Sequence, residues 1–186
     1  MYIQPMKKAA LLLGIVIVSA VPAFAQNSQI GILVGGSKRF FATKDSVQSD
    51  NWKLSNSVRE IWYGYSLEPD TMIKIKAGEI TAPLGDADAD TPDVKKGRIE
   101  HLDLAIDYRF SETFGTTGLF AGAGLYRQKS GGTPAEGTDY GFSVGVNGDF
   151  PLSRRYGILI EGTYHWVNYS YKPRFLTVTG GLRIKL

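Results

Sequence analysis

His101 and His165 are the two imidazoles of this chain, and it has no cysteine. Hydrolysis or acyl transfer needs a nucleophile, a base within hydrogen-bond reach of it, and a group that orients the base. His165 offers a base, Glu161 a carboxylate four residues earlier, and Ser170 a hydroxyl shortly after. Their spacing argues against a shared site. Four residues of extended chain span ~13 Å, too far for Glu161 to bond His165 along one strand. Ser170 falls in a turn-rich stretch, and His101 shares an alternating face with Asp103. Both histidines are therefore expected to hydrogen-bond inside a polar interior, and no catalytic residue is assigned.

Asp86, Asp88, Asp90 and Asp93 raise a second chemistry. Asp-x-Asp-x-Asp matches the opening of a calcium loop, which continues with Gly at the sixth position and Glu at the twelfth. Here those positions hold Thr91 and Gly97, so the stretch reads as a solvated acidic loop. These aspartates are the metal candidates; no metal or cofactor is assigned. The bases Lys95, Lys96 and Arg98 follow directly, and Lys38, Arg39, Lys44 and Lys53 occupy an earlier stretch. Both sets suit contact with phosphates.

The remaining charges fall at alternate positions, which points to the elements that carry them. In residues 100–110, Leu102, Leu104, Ile106, Tyr108 and Phe110 alternate with His101, Asp103, Ala105, Asp107 and Arg109. A period of two over this length is a strand, because successive side chains point to opposite faces. Residues 176–186 repeat it: Leu176, Val178, Gly180, Leu182, Ile184 and Leu186 oppose Thr177, Thr179, Gly181, Arg183 and Lys185. Residues 139–150 and 156–166 follow suit, and 29–39, 58–67 and 71–80 do so less regularly. In 117–127 both faces are apolar or small, so its orientation stays open. Eight strands are expected, and an even antiparallel set can close on itself. The polar faces collect Glu60, Lys74, Lys76, Asp103, Asp107, Arg109, Asp149, Glu161, Arg183 and Lys185, five acids and five bases.

Residues 1–25 differ from all this. Lys7 and Lys8 precede the apolar run 9–21, and Pro22 precedes Ala23-Phe24-Ala25. This is the layout of a secretory signal peptide cleaved after Ala25. The run is shorter than the ~20 residues a spanning helix needs. Residues 26–186 are expected to form the mature domain. Without Lys7 and Lys8, 19 bases face 18 acids, so the basic pI of 9.0 does not call for a nucleic-acid partner. A lipid anchor would need a cysteine at the cleavage point. Gly (22), Tyr (10) and Phe (9) are abundant, as suits a β-protein with close backbone packing.

Three features set the apolar faces outward, toward lipid. The polar faces carry a nearly balanced charge, as a narrow ion-paired lumen would. Aromatics gather at strand ends: Tyr65, Tyr108, Phe110, Phe150 and Tyr156 beside short turns, and Phe40, Phe41, Tyr126, Tyr140, Tyr164, Trp166, Tyr169, Tyr171 and Phe175 beside longer loops. Two such girdles fit the two surfaces of a bilayer. The connections 68–70, 111–116 and 151–155 are short, whereas 40–57, 81–99, 128–138 and 167–174 are longer, the asymmetry of periplasmic turns and external loops. A Lys or Arg at Leu104 or Val178 is expected to destabilise by about 2–4 kcal/mol, and at Thr179, on the polar face, to cost little.

With its leader-like start, eight alternating segments, the turn-bearing stretches LDLAIDYRFSETFG (102–115) and NGDFPLSRRYG (147–157) and the strand ending at Leu186, the chain resembles the small outer-membrane β-barrels of the OmpA/OmpX type. The resemblance implies an all-β, eight-stranded antiparallel up-and-down transmembrane barrel in the bacterial outer membrane. It also implies lipopolysaccharide and other outer-membrane lipids as surroundings, and the barrel-assembly machinery as a partner during insertion. That family usually ends in an aromatic residue; Leu186 departs from this, and weaker or different recognition by the machinery is expected. No peptidoglycan-binding domain is expected after the barrel. Lipid A deacylases and acyltransferases also use this scaffold, but the deacylase His-x-Ser pattern is absent, since Trp166 and Val167 follow His165. Gly122, Gly124, Gly141 and Gly145 either leave local space or make room for Phe120, Trp62 and Tyr126. The expected role is non-enzymatic: envelope integrity, adhesion or ligand contact through external loops. A lipid-modifying enzyme and a narrow channel are the alternatives.

Overall fold

The computed structural model describes residues 27–42, 47–49, 56–84, 95–112, 114–130, 137–170 and 172–186. Residues 1–25, the cleavage point after Ala25, and Asp86, Asp88, Asp90 and Asp93 lie outside the described residues. The strands are β1 (Ser28–Ala42), β2 (Val47–Ser49), β3 (Ser57–Glu68), β4 (Thr71–Leu84), β5 (Lys95–Glu112), β6 (Gly115–Ser130), β7 (Thr138–Pro151), β8 (Tyr156–Val167) and β9 (Arg174–Lys185). Each long strand pairs antiparallel with the next, and β9 returns to pair with β1. The eight long strands thus form a closed barrel. The short β2 only extends β1, at Phe40 to Ala42.

The register fixes the barrel's shape. One circuit of paired residues runs from Lys38 through Leu176, Tyr164, Val144, Ala121, Ile106, Ile73 and Tyr65 to Ser28. It re-enters β1 ten residues from its start, at 28 against 38. A stagger of this size with eight strands tilts them about 40° to the barrel axis and leaves an interior that side chains can fill.

Alternation places the residues as the strand geometry demands. Ile32, Ile61, Leu104, Ile106, Leu119, Val144, Val146, Ile160, Val178 and Leu182 are exposed on the outside, while Glu60, Lys74, Lys76, Asp103, Asp107, Glu161 and Arg183 are buried within. β6 joins this scheme with Leu119, Ala121, Ala123 and Leu125 outward and Phe120 and Tyr126 inward. A soluble barrel would bury its apolar face. This one exposes it all round, so only a lipid environment removes that surface from water.

The connections have local causes. In the β7–β8 turn the Ser153 hydroxyl accepts from the amides of Arg155 (3.3 Å) and Tyr156 (3.0 Å). After β3, a register shift between Ser66 and Glu68 accompanies the turn at Pro69, and Arg109 N–H donates to the Asp70 carbonyl at 2.7 Å.

At the opposite end β4 and β5 run well past the expected limits of 80 and 100. Their inward residues Ile80, Ala82, Leu84 and Ile99 pack with Val58, Tyr126, Val167, Tyr169 and Phe175 in an apolar cluster that fills that end of the lumen. Burying these side chains holds residues that look loop-like by composition, Pro83 among them, in the ladder. Tyr126, Tyr169 and Phe175 therefore leave the girdle expected for them and point inward. The exposed rings at this end include Tyr140, Phe142 and Trp166; at the short-turn end stand Tyr108, Phe110, Phe150 and Tyr156.

Candidate functional site

The lumen concentrates the chemistry. The inward charges come from several strands, and closure of the sheet brings them together. In mid-barrel, Glu161 of β8 accepts hydrogen bonds from Lys74 and, at 3.3 Å, from Lys76, both of β4 and all fully buried. Lys74 Nζ also lies 3.2 Å from Asp107 Oδ2. The flat faces of Phe120 and Trp62 stand beside these ammonium groups, Lys76 being 4.4 Å and Lys74 5.2 Å from the Phe120 centroid and Lys74 5.1 Å from that of Trp62. Such contacts supply further attraction for a cation removed from water.

Toward the short turns the chain of pairs continues. Asp107 accepts from Asn147 Nδ2 (3.0 Å) and Arg109 Nε (3.3 Å). Asp149 accepts from Arg183 Nε at 3.0–3.1 Å and lies 3.9 Å from Arg109 Nη1. Lys185 stands apart. It is exposed at the mouth, beside Ser28, Gln29, Leu67 and Glu68 on a recess of about 390 Å³.

Toward the long loops lies a second group. His101 Nε2 is 3.2 Å from Glu60, and its Nδ1 is 3.1 Å from Asp103. The Tyr126 hydroxyl donates to Asp103 at 3.1 Å and lies 2.9 Å from His165 Nδ1. His165 Nε2 is 3.2 Å from the Thr177 hydroxyl. The imidazole thus meets a hydroxyl, but both residues are buried in the lumen, under the apolar cluster. Ser170 is exposed in the loop after β8, away from this group.

Tyr126, expected in the girdle, joins this network, as do Asn147 and Thr177, which were not among the expected lumen charges. Their inward parity was the available signal; for Tyr126 the two similar faces of its strand obscured it. The glycines of β7 make room rather than leave it. A Cβ on Gly141 would come within 2.6 Å of the Tyr126 ring, and one on Gly145 within 2.5 Å of the Phe120 ring. Among the described residues no group of three or more His, Asp or Glu is arranged to hold a metal ion.

An apolar exterior around a closed, charge-paired interior defines a transmembrane β-barrel of the eight-stranded class. Solved structures carry the same fold. Neisserial surface protein A matches with a TM-score of 0.63 and 14% identity over 86% of this chain and 97% of that one. The N-terminal β-barrel domain of Pseudomonas aeruginosa OprF matches with a TM-score of 0.51 and 15% identity over 86% and 98%. Both are small outer-membrane barrels. The sequence matches no protein-family model and no curated protein.

Proposed function

We propose that the chain is an integral protein of the bacterial outer membrane with a non-enzymatic, structural or surface-interaction role. One observation carries this reading: the barrel exposes an apolar belt to its surroundings while paired charges line its interior. Among the described residues the lumen is occupied by side chains, which supports a role carried by the long-loop end rather than by transport through the barrel. The likeness to a Neisserial surface protein, as its name describes it, supports exposure at the cell surface. In this arrangement the short turns face the periplasm and the long loops face outward, after export directed by residues 1–25.

The geometry gives little support to a lipid-modifying enzyme. Such chemistry needs a base and nucleophile open to an acyl chain, whereas His165 is enclosed with Tyr126 and Thr177. The test of the membrane reading is direct. Folded in detergent, the protein should migrate differently on a denaturing gel before and after boiling, and it should fractionate with membranes. Identical migration together with recovery in the soluble fraction would overturn the reading.

A further inference from the structure

Just beyond the apolar belt, at the long-loop end, the outer surface of β3, β4 and β5 changes character. Arg59, Glu79 and Glu100 lie side by side across the three strands. One pleat farther out, Thr81 faces Arg98. Ser57, Arg59, Glu79, Thr81, Lys96 and Arg98 line a recess of about 320 Å³. Three of these side chains are cationic and one is a carboxylate, which Arg98 Nε engages at 3.1 Å. The recess therefore has surplus positive charge, with the Ser57 and Thr81 hydroxyls as further donors.

What lies directly below decides the kind of ligand. Ile61, Ala77 and Leu102 form the next outward row toward the membrane centre, followed by Tyr63, Ile75 and Leu104. Ile61 and Leu102 are exposed, with the small Ala77 paired between them. One continuous strip of surface thus runs from a cationic recess to an apolar row. A ligand matching both parts carries an anionic head and hydrocarbon tails.

We propose that this strip binds a phosphate-bearing lipid of the outer leaflet, its phosphate held by Arg59, Lys96 and Arg98 and its acyl chains laid over Ile61, Ala77 and Leu102. Guanidinium groups suit the task, since their planar forks bond phosphate oxygens in pairs. The site lies on the barrel's outer wall and uses no lumen residue. The proposal deepens the membrane reading and rests on it.

The test uses the full barrel in nanodiscs of phosphatidylcholine, with and without a minor fraction of phosphatidic acid. Native mass spectrometry of the released barrel counts retained lipid. Phosphatidic acid should be retained selectively, and Arg59→Gln combined with Arg98→Gln should lower its retention ~tenfold by removing two charge-assisted contacts. Arg174→Gln, an exposed rim base on β9, should leave retention unchanged. An equal loss in Arg174→Gln would replace the recess with a diffuse basic rim and overturn the proposal. Displacement of the lipid by inorganic phosphate at equal concentration would assign the recess to free phosphate and also overturn it. Insertion, read from the shift of the unboiled gel band, separates the two levels. A barrel that inserts but retains no phosphatidic acid overturns this proposal alone, while one that fails to insert overturns the membrane reading with it.

Discussion

Glu161 is the residue on which the lumen turns. It is the shared acceptor of Lys74 and Lys76, and none of the three reaches solvent. Burying such charges is costly, and the cost is offset only while they stay paired. Glu161→Gln keeps the shape but removes the carboxylate that Lys74 and Lys76 share; Asp107 still serves Lys74. We expect a loss of about 3–5 kcal/mol, measured by urea unfolding of the reconstituted barrel. Unchanged stability would mean that water or rearranged partners replace the carboxylate. Thr179 shows the same interior from the other side. From the pattern, a Lys there looked inexpensive because the face is polar. The residue is 3% exposed in a filled lumen, so a longer side chain has nowhere to go, and overpacking costs typically 1–3 kcal/mol.

At the scale of the strand, the outward series on β5 provides a depth gauge. Leu102, Leu104, Ile106, Tyr108 and Phe110 are all exposed, and Ile106 is the middle of the five. Ile106→Arg should cost about 2–4 kcal/mol, and Leu102→Arg, near the cationic recess, about 0–1, because the penalty follows depth in the bilayer. Folding free energies in vesicles read both; equal costs would place the belt elsewhere along the strand. The seam between β1 and β9 offers a second test. A Cβ on Gly181 would lie 3.0 Å from the Leu33 Cα and closer still to the Ile32 backbone, so the strands meet there only because the side chain is absent. Gly181→Val should block closure, seen as loss of the shifted unboiled band on a gel.

The barrel combines eight long strands, a ten-residue stagger and, among the described residues, a lumen occupied at three levels. Leu33, Trp62, Met72 and Leu159 form an apolar cluster within the barrel, the ion pairs run past it, and the larger apolar cluster stops the long-loop end. Among the described residues, side chains thus occupy the lumen at each of these levels. Reconstituted in a planar bilayer, the protein should be electrically silent; steady conductance steps would show that the plug moves and would revive the channel alternative. Because β1 and β9 lie at opposite ends of the chain, closure depends on contacts of the greatest sequence separation, and such topologies fold slowly.

Local pattern carried the architecture. A period of two tells which side chains share a face, as in 100–110 and 176–186, and paired strands of an even number can close without an edge. Charge on one face and apolar bulk on the other set which side meets lipid. The pattern could not tell which charges meet, because register and stagger determine that, and they emerge only when the sheet closes. Hence Glu161 and His165, four residues apart, take partners on other strands: Lys74 and Lys76 on β4 for one, Tyr126 on β6 and Thr177 on β9 for the other. Tyr126, Tyr169 and Phe175 looked like girdle residues from their place beside loops, and the closed barrel turned them inward to bury their rings. The recess at Arg59, Lys96 and Arg98 has the same origin, being assembled by three strands whose alignment no single stretch of sequence contains.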